Sequence, residues 1–269
     1  MYKRQVVGDF DDDEWAELVG TDIGFMFQNP VGSWTPVYQI GVQAGEALDF
    51  HADLTQEEIE ERVFDALGEV KLPKSKRLFG AYSTQLSRGM AQRAMLAAAL
   101  TKAPHLLIAD EPLNGLDPSV AAAIMDLVRD MQRKRNMAMV VVTHDLAAVA
   151  SIADRVAVLY GGEIIEEASA TDIYHHPKHP YTSGLIGSIP GTGSGRLRHI
   201  QGEAPRLVDI DHRLCVFVDR CEYSVKECNH AKPVSGLAET TIVSCHRSTE
   251  LDIPAVAGRA AKRDIPASV

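Results

Sequence analysis

The sequence lacks any apolar run long enough for a membrane-spanning helix, which needs about 20 consecutive apolar residues. The first residues, Met1 to Gln5, are not followed by the apolar segment that a secretory signal requires. We therefore expect a soluble, cytoplasmic chain whose association with a membrane, if any, depends on a partner.

Positive charge and cysteine are also scarce. The net charge is −10, which argues against nucleic acid as a partner, because a nucleic-acid-binding surface is usually basic. Only four cysteines occur among 269 residues. By contrast, the apolar content of 45% is sufficient for a substantial core, in one large domain or two.

One short apolar run ends in two carboxylates. Residues 106–109 are too few for a helix and predict a buried parallel strand, which Asp110 and Glu111 follow. Open α/β sheets bind ligands at the carboxyl ends of their strands. There Asp110 could hold Mg²⁺ and Glu111 could polarise a water that attacks a phosphate. The simpler alternative is a strand followed by an acidic turn.

Two further strands end in polar residues. An apolar strand beginning at Ile23 leads to Gln28, and a buried strand over residues 138–143 leads to His144. A parallel arrangement would bring His144 to the edge that carries Asp110 and Glu111, although a lone histidine is more often structural than catalytic. Residues 156–160 and 163–166, joined by two glycines, predict a hairpin.

Helices are predicted near residues 41–50 and 55–70, from about 88 to 102, and from Asp117 onwards. Thr55 and Glu58 form a capping-box pattern, and Asp117 suits an N-cap. Ser87 and Gly89 at a helix start would offer a hydroxyl and free N–H groups to an anion, although serine is also an ordinary N-cap. Residues 1–20 are acidic and predict a loop or a frayed edge.

Several short motifs follow one another in a fixed order. They are Phe27-Gln28, Leu86-Ser87-Arg88-Gly89-Met90-Ala91-Gln92-Arg93, Leu107-Ile108-Ala109-Asp110-Glu111-Pro112, Gly115-Leu116-Asp117 and Val142-Thr143-His144-Asp145. In order and spacing the sequence resembles the nucleotide-binding subunit of an ABC transporter, with its Q-loop, signature, Walker B motif, D-loop and switch histidine. The resemblance implies an α/β, RecA-like ABC-type domain with a helical signature subdomain.

The end of the chain narrows the resemblance to oligopeptide and dipeptide importers. The segments 179–185 and 201–205 and the cysteines are similar to the tail of that family. We therefore predict an ABC ATPase domain over residues 1–168, with its signature subdomain at about 40–100. A cysteine-containing C-terminal extension would cover 169–252, and a loose tail 253–269.

The resemblance also implies residue roles. Glu111 would be the catalytic base, His144 would contact the γ-phosphate, and Gln28 would contact Mg²⁺ or the attacking water. ATP and Mg²⁺ would be the cofactors, with Asp110 serving the metal. Ser87 and Gly89 would contact the γ-phosphate of the partner subunit's ATP, and Asp117 would lie at the dimer interface.

The implied function is to couple ATP hydrolysis to the uptake of peptides or a related solute. The implied partners are a second ABC ATPase subunit, two transmembrane permease subunits and, indirectly, a solute-binding protein. The chain would then be peripheral on the cytoplasmic side of the cell membrane. The competing hypothesis is a non-catalytic interaction module that keeps the dimer and membrane-subunit contacts.

Three departures from the family stand out. The phosphate-binding pattern G-x-x-x-x-G-K-[ST] occurs nowhere in the 269 residues. We therefore expect that the chain has lost its N-terminus, in the organism or through an incomplete gene model, and that it is inactive alone. Arg88 replaces a glycine of the signature, and Asn114-Gly115 replaces a small-hydroxyl and alanine pair. Because Arg88 could bind the phosphate or obstruct closure, we hypothesise an asymmetric heterodimer.

The cysteines at 215, 221, 228 and 245 fit a soft-metal site better than disulfides in a cytoplasmic chain. The resemblance implies a [4Fe–4S] cluster with Cys215, Cys221, Cys228 and Cys245 as its ligands. Zinc is the second reading, because zinc sites usually pair cysteines at closer spacing. Free thiols are the third.

Overall fold

A computed structural model of the chain describes residues 10–19, 21–150, 152–189 and 199–251. The chain divides into two compact units, Met1–His144 and Asp145–Val269. No helix in the described ranges is long and apolar enough to cross a membrane. The domain boundary predicted after residue 168 stays a prediction, and the predicted tail 253–269 lies outside the described residues.

The first unit contains a parallel sheet of three strands in the order β1-β2-β3. These strands are β1 (Ile23–Met26), β2 (Leu106–Asp110) and β3 (Ala138–Val142). Met26 pairs with Ala109, and Asp110 pairs with Val142, so the three carboxyl ends lie at one edge. The three predicted strands are confirmed, as is the edge that β2 and β3 were predicted to share, and β1 ends at the same edge.

Helices accompany this sheet. They are α1 (Asp12–Leu18), α2 (Ile40–His51), α3 (Gln56–Glu69), α4 (Lys76–Phe79), α5 (Arg88–Leu100) and α6 (Pro118–Arg135). A single apolar core joins residues of α2, α3, α5 and α6 to the buried side chains of β1 and β2. The predicted helices near 41–50, 55–70 and 88–102 are confirmed, including the capping box of Thr55 and Glu58.

The prediction of a loop for the acidic N-terminal stretch is wrong over residues 12–18. Asp11 caps α1 by accepting the N–H of Glu14, and the Glu14 side chain accepts the N–H of Asp11 in return. Carboxylates are stabilised in the first turn of a helix by the exposed N–H groups and the helix dipole. The acidity that suggested a loop therefore favours the start of a helix.

The second unit contains an antiparallel sheet in the order β4-β5-β7-β6. Its strands are β4 (Arg155–Tyr160), β5 (Glu163–Ser169), β6 (Gly236–Ala238) and β7 (Thr241–Val243). The predicted hairpin is confirmed, and its turn residues Gly161 and Gly162 have φ values of +59° and +81°. Both angles favour glycine, as two-residue hairpin turns commonly require.

Three helices complete the second unit: α7 (Leu146–Val149), α8 (Ala170–His175) and α9 (Pro180–Gly187). Side chains of β4, β5, α8 and α9 form its core together with Cys215, Phe217 and Cys228. The cysteine-containing segment is therefore packed and hydrogen-bonded into this unit, since β7 pairs with β5.

Candidate functional site

The predicted catalytic residues lie at the carboxyl edge of the parallel sheet. Asp110 is the last residue of β2, Gln28 follows β1 by two residues, and His144 follows β3 by two residues. The side chains of Gln28 and Asp110 belong to exposed residues. The strand order places β2 between the other two, so the acidic pair stands at the centre of this edge.

Glu111 and His144 are in direct contact. Oε1 of Glu111 lies 2.7 Å from Nδ1 of His144 and accepts the backbone N–H of His144 at 3.2 Å. The Glu111 side chain is only 16% exposed, whereas that of His144 is 77% exposed. A hydrogen bond to Nδ1 fixes the orientation of the ring as well as that of the carboxylate.

The backbone of Glu111 adopts a left-handed conformation with φ of +45°. Its N–H donates to the carbonyl oxygen of Val142 at 2.8 Å, which extends the pairing of β2 with β3 by one residue. A non-glycine residue with positive φ is strained by about 1 kcal/mol or more. The regular conformation of β2 therefore ends at Asp110, directly before Glu111.

Sequence analysis missed a further contact of this site. The Thr143 hydroxyl donates to Oε2 of Glu111 at 3.3 Å. Thr143 precedes His144 in its motif, but nothing in the pattern indicated that the Thr143 hydroxyl contacts the carboxylate of Glu111. Glu111 is therefore held by groups from β3 at both carboxylate oxygens.

The predicted signature residues lie at the start of α5. Ser87 is its N-cap, and Oγ accepts the N–H of Met90 at 3.3 Å. A Cβ on Gly89 would lie 3.1 Å from Cγ1 of Val120, so the start of α5 approaches the first turn of α6 closely. Asp117 is the N-cap residue of α6, but its side chain accepts no capping hydrogen bond.

The residues of the predicted cysteine site are brought together in the second unit. All four are free thiols, and the N–H of Cys215 donates to the carbonyl oxygen of Cys228 at 3.2 Å. Burial, and to a smaller extent the neighbouring thiols, raises the pKa of Cys215 to about 11. The same causes raise the pKa of Cys221 to about 11 and also raise the pKa of Cys245.

The geometry of these thiols does not form a metal site as it stands. Among the residues that the structure describes, no group of three or more His, Cys, Asp or Glu side chains is arranged to hold a metal ion. The predicted [4Fe–4S] cluster and its zinc alternative gain no support from this arrangement.

Comparisons with known families match both parts of the chain. The profile of the family described as "ABC transporter" matches residues 5–114. The profile described as "Oligopeptide/dipeptide transporter, C-terminal region" matches residues 165–228. The first match contains the predicted Q-loop, signature and Walker B residues but not Asp117 or His144, and the second covers the first part of the predicted extension.

Individual relatives extend these matches. The chain is 39% identical over 232 residues to the dipeptide transport ATP-binding protein DppD of Haemophilus influenzae, covering 86% of this chain and 70% of that protein. It is also 39% identical over 236 residues to the oligopeptide transport ATP-binding protein OppD of Lactococcus lactis subsp. cremoris, covering 87% and 69%.

Solved structures show the same fold. A dimeric post-hydrolysis state of the ATP-binding cassette MJ0796, bound to ADP and Pi, gives a TM-score of 0.54 at 29% identity and covers 60% of this chain and 68% of that chain. CbiO1 of Clostridium perfringens gives a TM-score of 0.56 at 26% identity and covers 65% and 66%. The chain therefore belongs to the α/β ATP-binding subunits of ABC transporters, in the group that carries the oligopeptide/dipeptide transporter C-terminal region.

Proposed function

We propose that this chain is the ATP-binding subunit of a peptide-importing ABC transporter and that Glu111 is its catalytic base. Relatives whose names state dipeptide or oligopeptide transport support the substrate class. The observation that carries the catalytic proposal is the contact between Glu111 and His144 at the edge where three parallel strands end.

The donor groups at this edge suit Mg²⁺ and a nucleotide phosphate. Asp110 offers an exposed carboxylate to Mg²⁺, with Gln28 at the neighbouring strand end, and a bound Mg²⁺ would neutralise charge on the phosphates. Glu111 orients a water and accepts its proton, and His144 and Thr143 hold the carboxylate for that task. His144 also contacts the γ-phosphate from its exposed position.

The same proposal assigns the residues outside this edge. Ser87 and Gly89 contact the nucleotide of a second ABC ATPase subunit, and Asp117 lies at the interface with it. Two permease subunits place the chain on the cytoplasmic side of the cell membrane, and a solute-binding protein supplies the peptide. We hypothesise that the second subunit is a different chain, because Arg88 replaces a glycine in the signature of this one.

The 269 residues contain no G-x-x-x-x-G-K-[ST] sequence, which normally supplies the amides and the lysine that bind phosphates. We therefore propose that this polypeptide alone hydrolyses ATP only at a background rate. The alternative function is a non-catalytic module that retains the subunit contacts.

A Glu111→Gln variant tests the catalytic proposal in a chain that has been supplied with a G-x-x-x-x-G-K-[ST] segment and assembled with its partner subunits. Hydrolysis should fall below about a tenth of the unmodified rate, because the base is lost, while ATP binding is retained. Glu17→Gln, at an exposed position of α1, is the matched control and should hydrolyse ATP normally. If Glu111→Gln keeps more than about a tenth of the activity, Glu111 is not the base.

We further propose the four cysteines as ligands of a [4Fe–4S] cluster, with zinc as the alternative. The proposal rests on the resemblance to the importer family and on the packing of Cys215, Cys221 and Cys228 in or against one core. Adopting the site would require the side chains to rearrange and lose their protons. Iron, sulfide and zinc analysis of anaerobically purified protein tests this. Protein that contains neither metal would leave four free thiols and reject both readings.

A further inference from the structure

Two of the sequence departures lie in contact with each other. Arg88 is the first residue of α5, and Gly115 lies in the loop between β2 and α6 with φ of +68°. A Cβ on Gly115 would lie 2.5 Å from Nη1, 2.6 Å from Cζ and 2.8 Å from Nη2 of Arg88. The guanidinium therefore fills the space that any side chain at position 115 would need.

The positive φ of Gly115 does not by itself explain this crowding. Gly162, in the hairpin turn of the second unit, has φ of +81°, and a Cβ there would have no heavy atom within 4 Å. Glycine is thus favoured at position 115 for two separate reasons. The backbone conformation favours it, and the Arg88 side chain occupies the adjoining space.

The guanidinium depends on that space for its position. Among the described residues, the Arg88 side chain has no hydrogen-bond partner and no ion-pair partner. A long, charged side chain without such partners is free to change rotamer when its packing is disturbed, because only contact surface holds it. An alanine at position 115 would therefore displace the guanidinium rather than disrupt the backbone of α5.

The residues around Arg88 indicate which surface a displaced guanidinium would reach. The N-cap Ser87 is exposed beside Arg88, and Gly89 packs against Val120 of α6, so the start of α5 is closed on its α6 side. We propose that Gly115 holds the Arg88 guanidinium against its own chain and thereby keeps the Ser87–Gly89 surface open to a partner's nucleotide. This inference rests on the proposed function of that surface.

This position of the guanidinium decides between the two roles that the sequence left open for Arg88, which were binding the phosphate and obstructing closure. While Gly115 leaves room for its guanidinium, Arg88 neither binds the phosphate nor blocks the interface. Its presence then no longer favours a slower composite site, so the heterodimer hypothesis loses this support. Gly115 is the positioning residue of the pair.

A suppression experiment tests the inference in the assembled transporter. Gly115→Ala should lower the ATPase rate about tenfold, because the displaced cation obstructs the signature surface. Adding Arg88→Gly to Gly115→Ala should restore the rate to within about twofold of the unmodified transporter, since no guanidinium remains to be displaced. Gly162→Ala carries comparable backbone strain without the contact and is the matched control.

A second measurement separates this inference from the proposed function. In the purified chain, the Arg88 Nε–H should show a rigid heteronuclear NOE, which Gly115→Ala should convert to that of a mobile side chain. The inference is overturned if Arg88 is equally mobile in both proteins, or if the double variant is as impaired as Gly115→Ala. The NMR result could hold while no variant affects ATP hydrolysis. In that case the contact exists but does not keep the Ser87–Gly89 surface open, and the proposal is rejected.

Discussion

Burial sets the protonation of two neighbouring side chains in the second unit. Glu166 of β5 is 1% exposed and accepts the N–H groups of Lys178 at 2.6 Å and His179 at 3.0 Å. Burial raises the pKa of Glu166 in spite of these bonds. Burial also lowers the pKa of His179 to about 4, and its Nδ1 caps α9 by accepting the N–H of Tyr181.

Replacing His179 by asparagine should remove an acid sensitivity of folding. Between the ordinary pKa of 6.5 and the folded pKa of about 4, the unfolded chain binds a proton at His179 that the folded chain does not. The free energy of unfolding should therefore fall as the pH drops through this range, by roughly 3 kcal/mol in total. His179→Asn keeps a capping oxygen and should lose this slope.

The measurement is urea unfolding of both proteins from pH 7.5 down to pH 4.5. The smaller asparagine also leaves a cavity, but that cost does not vary with pH. Glu166 titrates in both proteins, and its raised pKa acts in the opposite direction, so only the difference between the two curves is informative. His176→Asn, at an exposed position, should keep the slope; equal slopes for His179→Asn and unmodified protein would contradict the prediction.

The residues of the sheet edge were predictable to different degrees. The positions of Asp110, Glu111 and His144 followed from two apolar runs, because parallel strands end at a common edge. The positive φ of Glu111 and the hydroxyl of Thr143 did not follow. Both depend on the pairing of β2 with β3 one residue beyond the regular strand, which a linear pattern does not encode.

Among the elements of the first unit, one arginine joins the ends of three helices. Arg135 is the last residue of α6, and Nη1 donates to the carbonyl oxygen of Leu100 at the end of α5 at 3.0 Å. Nη2 donates to Oε2 of Glu69, at the end of α3, at 2.6 Å. The Leu100 carbonyl oxygen also accepts the N–H of Ala103 at 3.0 Å, so Arg135 supplies a second hydrogen bond to it and places a cation where the helix dipole favours one.

Arg135→Ala should destabilise the folded chain by about 1–3 kcal/mol, because it removes a charged donor from a partly buried carbonyl and breaks the link between helices. Chemical denaturation of the purified variant measures this. Lys74→Ala is the matched control, since the Lys74 and Asp65 side chains are 54% and 66% exposed and such a pair contributes about 0–1 kcal/mol. Equal losses in the two variants would show that Arg135 acts as an ordinary surface charge.

Elements with strong local signals were predicted well, as α3 and the turn of the β4–β5 hairpin show, although β5 continues three residues beyond the predicted end. The short strands β6 and β7 were not predicted. Thr241–Val243 has only three residues, and its pairing is determined by β5, which lies more than seventy residues earlier in the sequence. The strand conformation of β7 therefore depends on its tertiary contacts and not on its local sequence.

At the scale of the whole molecule, the 269-residue polypeptide on its own should not bind ATP with micromolar affinity. The carboxyl edge supplies acidic and polar groups, whereas the amide loop and lysine that ordinarily bind the β- and γ-phosphates have no counterpart in the sequence. Isothermal titration of Mg-ATP into the purified chain measures this. Micromolar binding would mean that another part of the chain replaces the phosphate loop.

The pairing of β5 on both sides has a consequence for any shortened form of this protein. β5 pairs with β4 along one edge and with β7 along the other, and the N–H of Ser244 adds a bond to the carbonyl oxygen of Ile165 at 2.9 Å. Removal of the chain beyond residue 230 would leave the second edge of β5 without partners. Because an unpaired strand edge is a template for other chains, such a fragment should aggregate. Strand β7 would thus also protect the folded chain from self-association by covering the second edge of β5.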